Sequence, residues 1–189
     1  MNTPSHLIIN AALVKKANRK DVPRSAFLLG SVLPDVPLAL LSIGFILYQR
    51  FTAGPCGQGV CDAAYDNLYF TNPWWITAHN FLHSPTALLI YFVVLWRYRQ
   101  QSGTRGHWLL WFVLGCLVHA TIDIATHATD GPVLFWPFDW FTRFHSPISY
   151  YDPAYFGRQF AVFERALDVV LLGYLFIPKL VKRFSKRAS

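Results

Sequence analysis

Residues 119–131 read HATIDIATHATDG and follow directly on the apolar run WLLWFVLGCLV of residues 108–118. The run is typical of a membrane helix, yet the segment that follows it carries two histidines and two aspartates. An ionisable residue at the centre of a bilayer costs about 2.5–3.5 kcal/mol on insertion scales, so such residues persist mainly where they face one another, water or a metal. The stretch therefore predicts a polar site inside a bundle of apolar helices.

The composition of the whole chain agrees with that prediction. Of 189 residues, 53% are hydrophobic and 14% are charged, which favours a bilayer as the solvent. No repeat or composition break divides residues 1–189, so we expect a single domain that is an all-α integral membrane bundle of about four spans. Four segments approach the roughly 20 apolar residues that cross a hydrocarbon core: residues 26–48, 85–98, 108–125 and 160–181.

The basic residues predict the orientation of these spans. Lysine and arginine cluster at residues 15–24, 97–105 and 179–187. Cytoplasmic flanks of membrane helices collect basic residues, so we expect a multi-pass protein of the cell inner membrane with these three clusters inside. The net charge of +7 then reflects topology, and no basic surface indicates nucleic acid as a partner. The sequence indicates no oligomeric state.

The same orientation places residues 51–84 and 128–159 outside the cell. Both segments are rich in aromatic residues that suit the headgroup region, in NLYFTNPWW and FWPFDWFTRF. Cys56 and Cys61 then lie in an oxidising compartment, which favours a disulfide between them, with a metal-binding cysteine pair as the alternative. Cys116 lies among apolar residues and is expected to pack there.

The spacing of the histidines predicts metal ligands. His119, Asp123 and His127 follow one another at intervals of four, which places them on one stripe of a helix. His79 and His83 repeat the interval just before the second span. Neutral imidazoles and a carboxylate suit Zn or a similar divalent ion, and one carboxylate can bridge two ions. The alternative is that these histidines are interfacial residues bonded to neighbours or to water.

The depth of the polar residues favours a common site. Asp35, His83 and His119 each lie 11–14 residues from the nearest cytoplasmic basic cluster, a distance of roughly 16–21 Å along a helix. Glu164 and Asp168 lie at a similar separation from the last cluster. We therefore expect one polar layer towards the extracytoplasmic side.

The N-terminal segment can add a further residue to this layer. If residues 6–18 form a short helix that descends to the turn NRKDVPR, the next span forms a hairpin with it, and His6 meets Asp35 near the top. In GSVLPDVP the prolines bend the span, free backbone carbonyls and expose Asp35 to a cavity. The alternatives are a His6 that merely follows an N-cap at Ser5, and an Asp35 that is solvated at a simple helix break.

Three motifs in this order, GSVLPDV, HNFLHSPTAL and HATIDIATHATDGPVLFWPF, resemble the bacterial inner-membrane metal-dependent hydrolase family, a group of unknown function regarded as hydrolase-like. The resemblance covers most of residues 6–138. The chain departs from it at Asn80, where members often carry an arginine that could bind an anion. A more distant similarity links the chain to zinc-dependent phospholipase C through the order and spacing of its histidines and aspartates.

The resemblance implies metal-assisted hydrolysis, in which one or two divalent ions, Zn by preference, activate a water molecule. Asp123 is the candidate bridging carboxylate. Glu164 is the candidate general base or a partner that orients a metal ligand, and the alternative is an ion pair with Arg158 or Arg165. The candidate metal ligands are His6, Asp35, His79, His83, His119, Asp123 and His127.

The expected substrate is a small molecule or a membrane lipid. A lipid phosphoester could enter the site sideways from the bilayer. The alternative function is a metal-binding or ion-transporting membrane protein without catalysis. A continuous polar path to the cytoplasm would favour transport, whereas the runs LLIYFVVLW and WLLWFVLG are apolar and favour the hydrolase.

Overall fold

The computed structural model describes residues 1–53 and 59–185 and is helical, as expected. Within these residues there is no β-strand, and a single antiparallel bridge pairs Val133 with Arg143. The α-helices are α1 (Thr3–Ala17), α2 (Arg24–Leu29), α3 (Asp35–Tyr48), α4 (Val60–Thr71), α5 (Pro73–Asn80), α6 (Pro85–Leu95), α7 (Arg105–Thr126) and α8 (Gly157–Ser185).

The first two helices form the predicted hairpin. Helix α1 ends at Asn18, which takes the left-handed conformation with φ 47°, a conformation that asparagine tolerates better than most residues. The chain then turns and returns as α2, and the Asn10 Nδ2 donates across the hairpin to the Phe27 carbonyl (3.1 Å). Helix α1 also packs along α8. The hairpin thus brings residue 6 back towards the level of residue 35.

Helix α2 crosses α7 at two glycines. A Cβ atom on Gly115 would lie 2.4 Å from the Phe27 carbonyl oxygen, and one on Gly30 would lie 2.3 Å from the Phe112 carbonyl oxygen. Only glycine allows the two backbones to approach this closely. The crossing fixes the chain that follows Gly30 against the centre of α7, where the polar residues begin.

The first predicted span, residues 26–48, is not one helix. Residues 30–34 form a turn between α2 and α3, and Pro34 and Pro37 lack the N–H groups that would continue a helix. A second break separates α5 from α6, whose axes differ in direction by 50°. Helix α6 begins at Pro85, the residue at which the second span was predicted to begin.

The expectation of four spans is therefore not confirmed. Among the described residues, α7 is long and apolar enough to cross a membrane by itself, and the bent pair of α5 with residues 85–98 passes the same test together. Helix α3 has only 14 residues, and α8 carries Glu164, Arg165 and Asp168 within five positions. Large exposed side chains such as Leu40, Val93 and Val169 nevertheless give α3, α6 and α8 apolar outer surfaces.

Two apolar clusters support the polar residues from the side. One contains Leu88, Val113, Cys116 and Ala120 and joins α6 to α7. The other contains Ile76, Ala87, Val133 and Trp136 and joins α5 and α6 to the segment after α7. Cys116 is fully buried and packs as predicted. Cys56 lies outside the described residues, so its pairing with Cys61 stays a prediction.

Candidate metal centre

Helix α7 provides the first two side chains of the site. His119 and Asp123 lie one turn apart on its buried face, and the Oδ2 atom of Asp123 lies 3.0 Å from the Nε2 atom of His119. Both side chains are almost completely buried. An i, i+4 pair on a helix places the two groups one above the other, as the spacing predicted.

The two helix breaks bring two more ligating side chains to this pair. His83 lies in the break between α5 and α6, with its Nε2 atom 3.0 Å from that of His119 and 3.5 Å from Asp123 Oδ2. Asp35 is the first residue of α3, and its Oδ1 atom lies 3.3 Å from His83 Nε2 and 3.2 Å from His119 Nε2. One ligating atom from each of the four residues lies within 4.8 Å of every other. This set is called the metal tetrad below.

The spacing within the metal tetrad fits a tetrahedral ion. Ligands that lie about 2.0–2.2 Å from a zinc ion at the corners of a tetrahedron lie roughly 3.3–3.6 Å from one another. The five distances given above run from 3.0 to 3.5 Å. Two imidazoles and two carboxylates also form a donor set that zinc and related divalent ions accept. The residues therefore fit the metal that the sequence predicts.

The tautomers of the two imidazoles support the same assignment. His119 donates from Nδ1 to the Ser31 carbonyl (2.9 Å), and His83 donates from Nδ1 to the His79 carbonyl (2.9 Å). A carbonyl only accepts, so in each neutral ring the proton lies on Nδ1 and the Nε2 lone pair points into the tetrad. Two lone pairs that face one another at 3.0 Å repel, and a shared cation removes that repulsion. Orientation of a ligating imidazole through its other nitrogen is usual in metal sites.

Both orienting carbonyls are available because a helix breaks beside them. In a continuous helix the Ser31 carbonyl would accept from the N–H of Asp35, but that N–H donates to Val32 instead (3.3 Å). The His79 carbonyl would accept from the N–H of His83, which donates to the Asn80 carbonyl instead (3.2 Å). Each break therefore supplies one ligating side chain and one backbone acceptor that orients an imidazole.

The second oxygen of Asp123 faces a different group of residues. Its Oδ1 atom lies 2.9 Å from His6 Nε2, 3.0 Å from the amino group of Met1 and 3.7 Å from His127 Nδ1. The His6 ring stacks on His119 with a centroid distance of 3.8 Å. His6 and His127 thus adjoin the metal tetrad through Asp123 without belonging to it. The two oxygens of Asp123 face opposite groups, the arrangement that a bridging carboxylate requires.

His79, the remaining predicted ligand, lies behind the tetrad. Its ring stacks on His83 with a centroid distance of 4.4 Å, and its Nε2 atom lies 3.3 Å from the hydroxyl of Tyr69. His79 contributes to the tetrad through its backbone carbonyl, which orients the His83 ring.

The acidic residues of α8 hold the N-terminal segment. Glu164 is buried, and its two carboxylate oxygens accept from the backbone N–H (2.8 Å) and the side chain (2.7 Å) of Asn2. Asp168 accepts from the Ser5 hydroxyl (2.8 Å). Within the described residues no ion pair joins Glu164 to Arg158 or Arg165. Both acidic residues anchor α1, the helix that carries His6.

A cavity of about 480 Å³ opens beside the metal tetrad. Asp35, Asp123, His79 and His127 lie in its wall. The buried phenol of Tyr69 donates to the Asp130 carbonyl (2.6 Å), and burial raises its pKa above the ordinary value. The aromatic part of the wall comes from Tyr65, Tyr69, Phe70, Tyr150 and Tyr151. A molecule in this cavity would reach the edge of the tetrad.

Sequence reasoning did not find several of these contributors. The Ser31 carbonyl carries no signature of residue type, although the expectation that prolines free carbonyls in GSVLPDVP applies to it. The hydroxyl of Thr3 donates to Asp35 Oδ2, and an N-terminal threonine gives no signal of such a role. Tyr69 stands in an aromatic segment interpreted as a headgroup belt, whereas its ring is buried against the site.

A family model described as YdjM inner membrane protein matches residues 1–183, and the chain belongs to this family. No curated protein and no solved structure matches the chain. The family's description supports the predicted location in the inner membrane and includes no activity.

Proposed function

We propose that this member of the YdjM inner membrane protein family is a membrane-bound, metal-dependent hydrolase. Its substrate would be a phosphoester, either a lipid or a smaller molecule. The observation that carries the proposal is the metal tetrad at the wall of an open cavity. Four protein ligands alone fill a tetrahedral shell, as in a structural site, so a catalytic ion held by the metal tetrad would need a further coordination position for water on the side that faces the cavity. The side chain of Asp35 remains 30% exposed, so the tetrad is accessible from the cavity.

The residues of the metal tetrad would hold one divalent ion, with Zn as the first candidate. Such an ion lowers the pKa of bound water towards about 7 and polarises a phosphoryl oxygen. His83 and His119 contribute neutral donors of fixed orientation, and Asp35 and Asp123 balance the charge of the ion. A second ion would be held by Asp123, His6 and His127, and Asp123 would then be the bridging carboxylate.

Glu164 was the candidate general base, and its contacts support a positioning role instead. Both of its oxygens accept hydrogen bonds from Asn2. The N-terminal segment that Glu164 holds in this way includes His6, which contacts Asp123. We propose that Glu164 acts on the site through this segment. Its substitution by Gln would then shift metal affinity together with activity, whereas loss of a base would reduce activity at unchanged metal content.

Transport of the metal is the alternative function. A conducting protein needs polar side chains beyond the tetrad, in the direction of the Arg105 end of α7. The buried positions there, one to three turns from His119, are Leu110, Val113, Gly115 and Cys116. These positions carry no polar side chain, and the buried amide of Asn10, which donates to the Gly115 carbonyl (3.4 Å), does not make a continuous polar path by itself. This packing supports hydrolysis over conduction.

The first test is the metal content of the purified full-length protein. We expect about one zinc or similar ion per chain from the metal tetrad, and two if Asp123 bridges. Asp123→Asn should lose the ion, because the change removes charge from a buried ligand that His6, His83 and His119 all approach. Asp62→Asn is the matched control, since Asp62 is exposed on α4 and makes no ion pair among the described residues.

The second test is hydrolysis by the metal-loaded protein. A panel of phosphodiesters and phospholipids should show turnover that a chelator abolishes and the ion restores. Asp123→Asn should lose this activity and Asp62→Asn should keep it. Full metal occupancy without turnover of any member of the panel would contradict the hydrolase and favour a binding protein.

A further inference from the structure

A second cavity lies next to the one beside the metal tetrad. It encloses about 420 Å³ and shares Phe70 and Thr129 with the wall of the first. The rest of its wall comes mostly from the segment FWPFDWFTRFH, residues 135–145, which follows α7. The lining residues of this segment are Trp140, Phe141, Arg143, Phe144 and His145. We call it the loop cavity.

Arg143 gives the loop cavity a positive charge. Its guanidinium lies over the rings of Tyr69 (5.0 Å) and Phe70 (5.2 Å), and it donates to the Gly131 carbonyl. No carboxylate among the described residues forms an ion pair with Arg143. Arginine is the residue best suited to phosphate, because its planar fork donates two parallel hydrogen bonds.

The nearby acidic residues are committed elsewhere. Asp139 accepts from the backbone N–H groups of Phe141 (2.8 Å) and Thr142 (2.7 Å), which closes its own turn. Asp130 accepts from the Tyr151 hydroxyl (3.2 Å) and lines the other cavity. The guanidinium is therefore held by two rings and a carbonyl while its charge stays uncompensated.

The outer wall of the loop cavity is apolar. Phe141 is 73% exposed and Phe144 is 48% exposed, and Phe135 and Phe138 on the same segment are also exposed. In an inner membrane protein such a surface faces acyl chains or the headgroup region, where aromatic rings are favoured. A guanidinium within an apolar rim matches a molecule that joins a phosphate to hydrocarbon chains.

We propose that the loop cavity binds a phospholipid, with the phosphate at Arg143 and the acyl chains along Phe141 and Phe144. This inference goes beyond the proposed function, because binding at Arg143 requires neither the ion nor hydrolysis. The shared wall places the bound lipid beside the cavity of the metal tetrad. Arg143 is then an anion-binding residue that reaches the site from the loop after α7, whereas position 80 is an asparagine.

The test measures lipid binding to the full-length protein in detergent micelles. The probes are dioleoylphosphatidylglycerol, dioleoylglycerol without phosphate, and glycerol 3-phosphate without chains. Wild-type protein should bind the phospholipid at least tenfold more tightly than either partial ligand. Arg143→Gln should reduce phospholipid affinity about 10-fold to 100-fold, the range of a lost charge-assisted hydrogen bond. The phospholipid affinity of Arg143→Lys should lie between that of the wild type and that of Arg143→Gln.

Two variants separate recognition from structure. Arg158→Gln, an exposed arginine at the start of α8, should leave phospholipid affinity unchanged. Phe141→Ser alters an exposed ring, and it should weaken phospholipid binding while it leaves glycerol 3-phosphate unaffected. Unchanged phospholipid affinity in Arg143→Gln would overturn the proposal, and so would glycerol 3-phosphate that binds as tightly as the lipid. Metal content measured on the same samples shows whether a variant that binds less phospholipid has also lost the metal of the tetrad.

Discussion

The two halves of α7 are built on different principles. From Leu110 to Leu117 the buried face of the helix packs through apolar side chains and through Gly115, where the backbone of α2 lies against it. From His119 to Thr126 its buried face carries an imidazole and a carboxylate, which meet ligating groups from two helix breaks. The first half is stable through contact alone. The second half carries charges and lone pairs that need compensation, to which the Met1 amino group, His6 and a bound cation contribute.

Substitutions in the two halves should therefore have different effects. A change in the packed half should alter the fold and, as a consequence, the site. A change in the polar half should alter metal affinity while the helix and its neighbours remain folded. The four predictions below test this separation.

The largest effect is expected for Gly115→Val in the packed half. The new side chain would clash with the Phe27 carbonyl, which is backbone and cannot rotate away as a side chain can. We therefore expect a loss of about 3 kcal/mol in the free energy of unfolding, the upper end of the usual range for overpacking. Thermal unfolding in detergent, followed by circular dichroism, measures it. Gly44→Val on α3 is the matched control, because a Cβ at Gly44 meets nothing within 4 Å. Equal midpoints for the two variants would show that the crossing is not tight.

His119→Ala should act on the metal alone. Loss of a residue that only orients a ligand already costs 10-fold to 100-fold in metal affinity, so loss of the ligand should cost more than about 100-fold. Equilibrium dialysis with zinc measures the affinity, and circular dichroism should show unchanged helicity. Retention of the metal by this variant would remove His119 from the site.

His6→Ala should have a smaller effect on the same affinity. His6 contacts the Oδ1 atom of Asp123 and stacks on His119, so it positions two residues of the metal tetrad without belonging to it. We expect a loss of about 10-fold to 100-fold, the range for an orienting residue. His145→Ala should leave zinc affinity unchanged, because the His145 ring packs on Tyr155 instead. A loss as large as that of His119→Ala would make His6 a ligand.

Tyr69→Phe should have the smallest effect. The change removes the hydroxyl that donates to the Asp130 carbonyl, and a buried hydrogen bond of this kind contributes about 1 kcal/mol. Unfolding in denaturant measures the loss, and zinc affinity should not change. Tyr48→Phe, at a tyrosine that is 62% exposed on α3, is the control. A large fall in zinc affinity would show that Tyr69 takes part in the metal site instead of lying beside it.

Local patterns were enough to predict the parts of the fold that depend on local chemistry. The apolar run of α7, the helix that begins at Pro85 and the hairpin before Asp35 follow from periodicity, proline and basic turns. Helix α4 was not predicted because its sequence, VCDAAYDNLYFT, is too short and too polar for a membrane span. The break of residues 26–48 into two helices was only partly foreseen, since prolines predict a bend but not its extent.

The metal tetrad was predicted from residue type, spacing and depth. Those signals could not separate His83, whose Nε2 faces Asp123, from His79, whose ring lies behind it. The separation depends on the direction of each ring, since His83 Nε2 faces His119 whereas His79 Nε2 faces the Tyr69 hydroxyl, and that direction is decided by tertiary packing. Arg143 lies outside the three basic clusters of the sequence, and its position over Tyr69 depends on a contact between distant segments.

The backbone acceptors of the metal tetrad have a consequence for mutational tolerance. His119 is oriented by the carbonyl of Ser31, and that carbonyl is present whatever side chain occupies the position. The side chain of Ser31 donates to the Leu28 carbonyl and takes no part in the orientation. Position 31 can therefore exchange serine for another small residue while the imidazole of His119 keeps its tautomer. A metal site oriented by backbone carbonyls can thus persist while the neighbouring sequence changes.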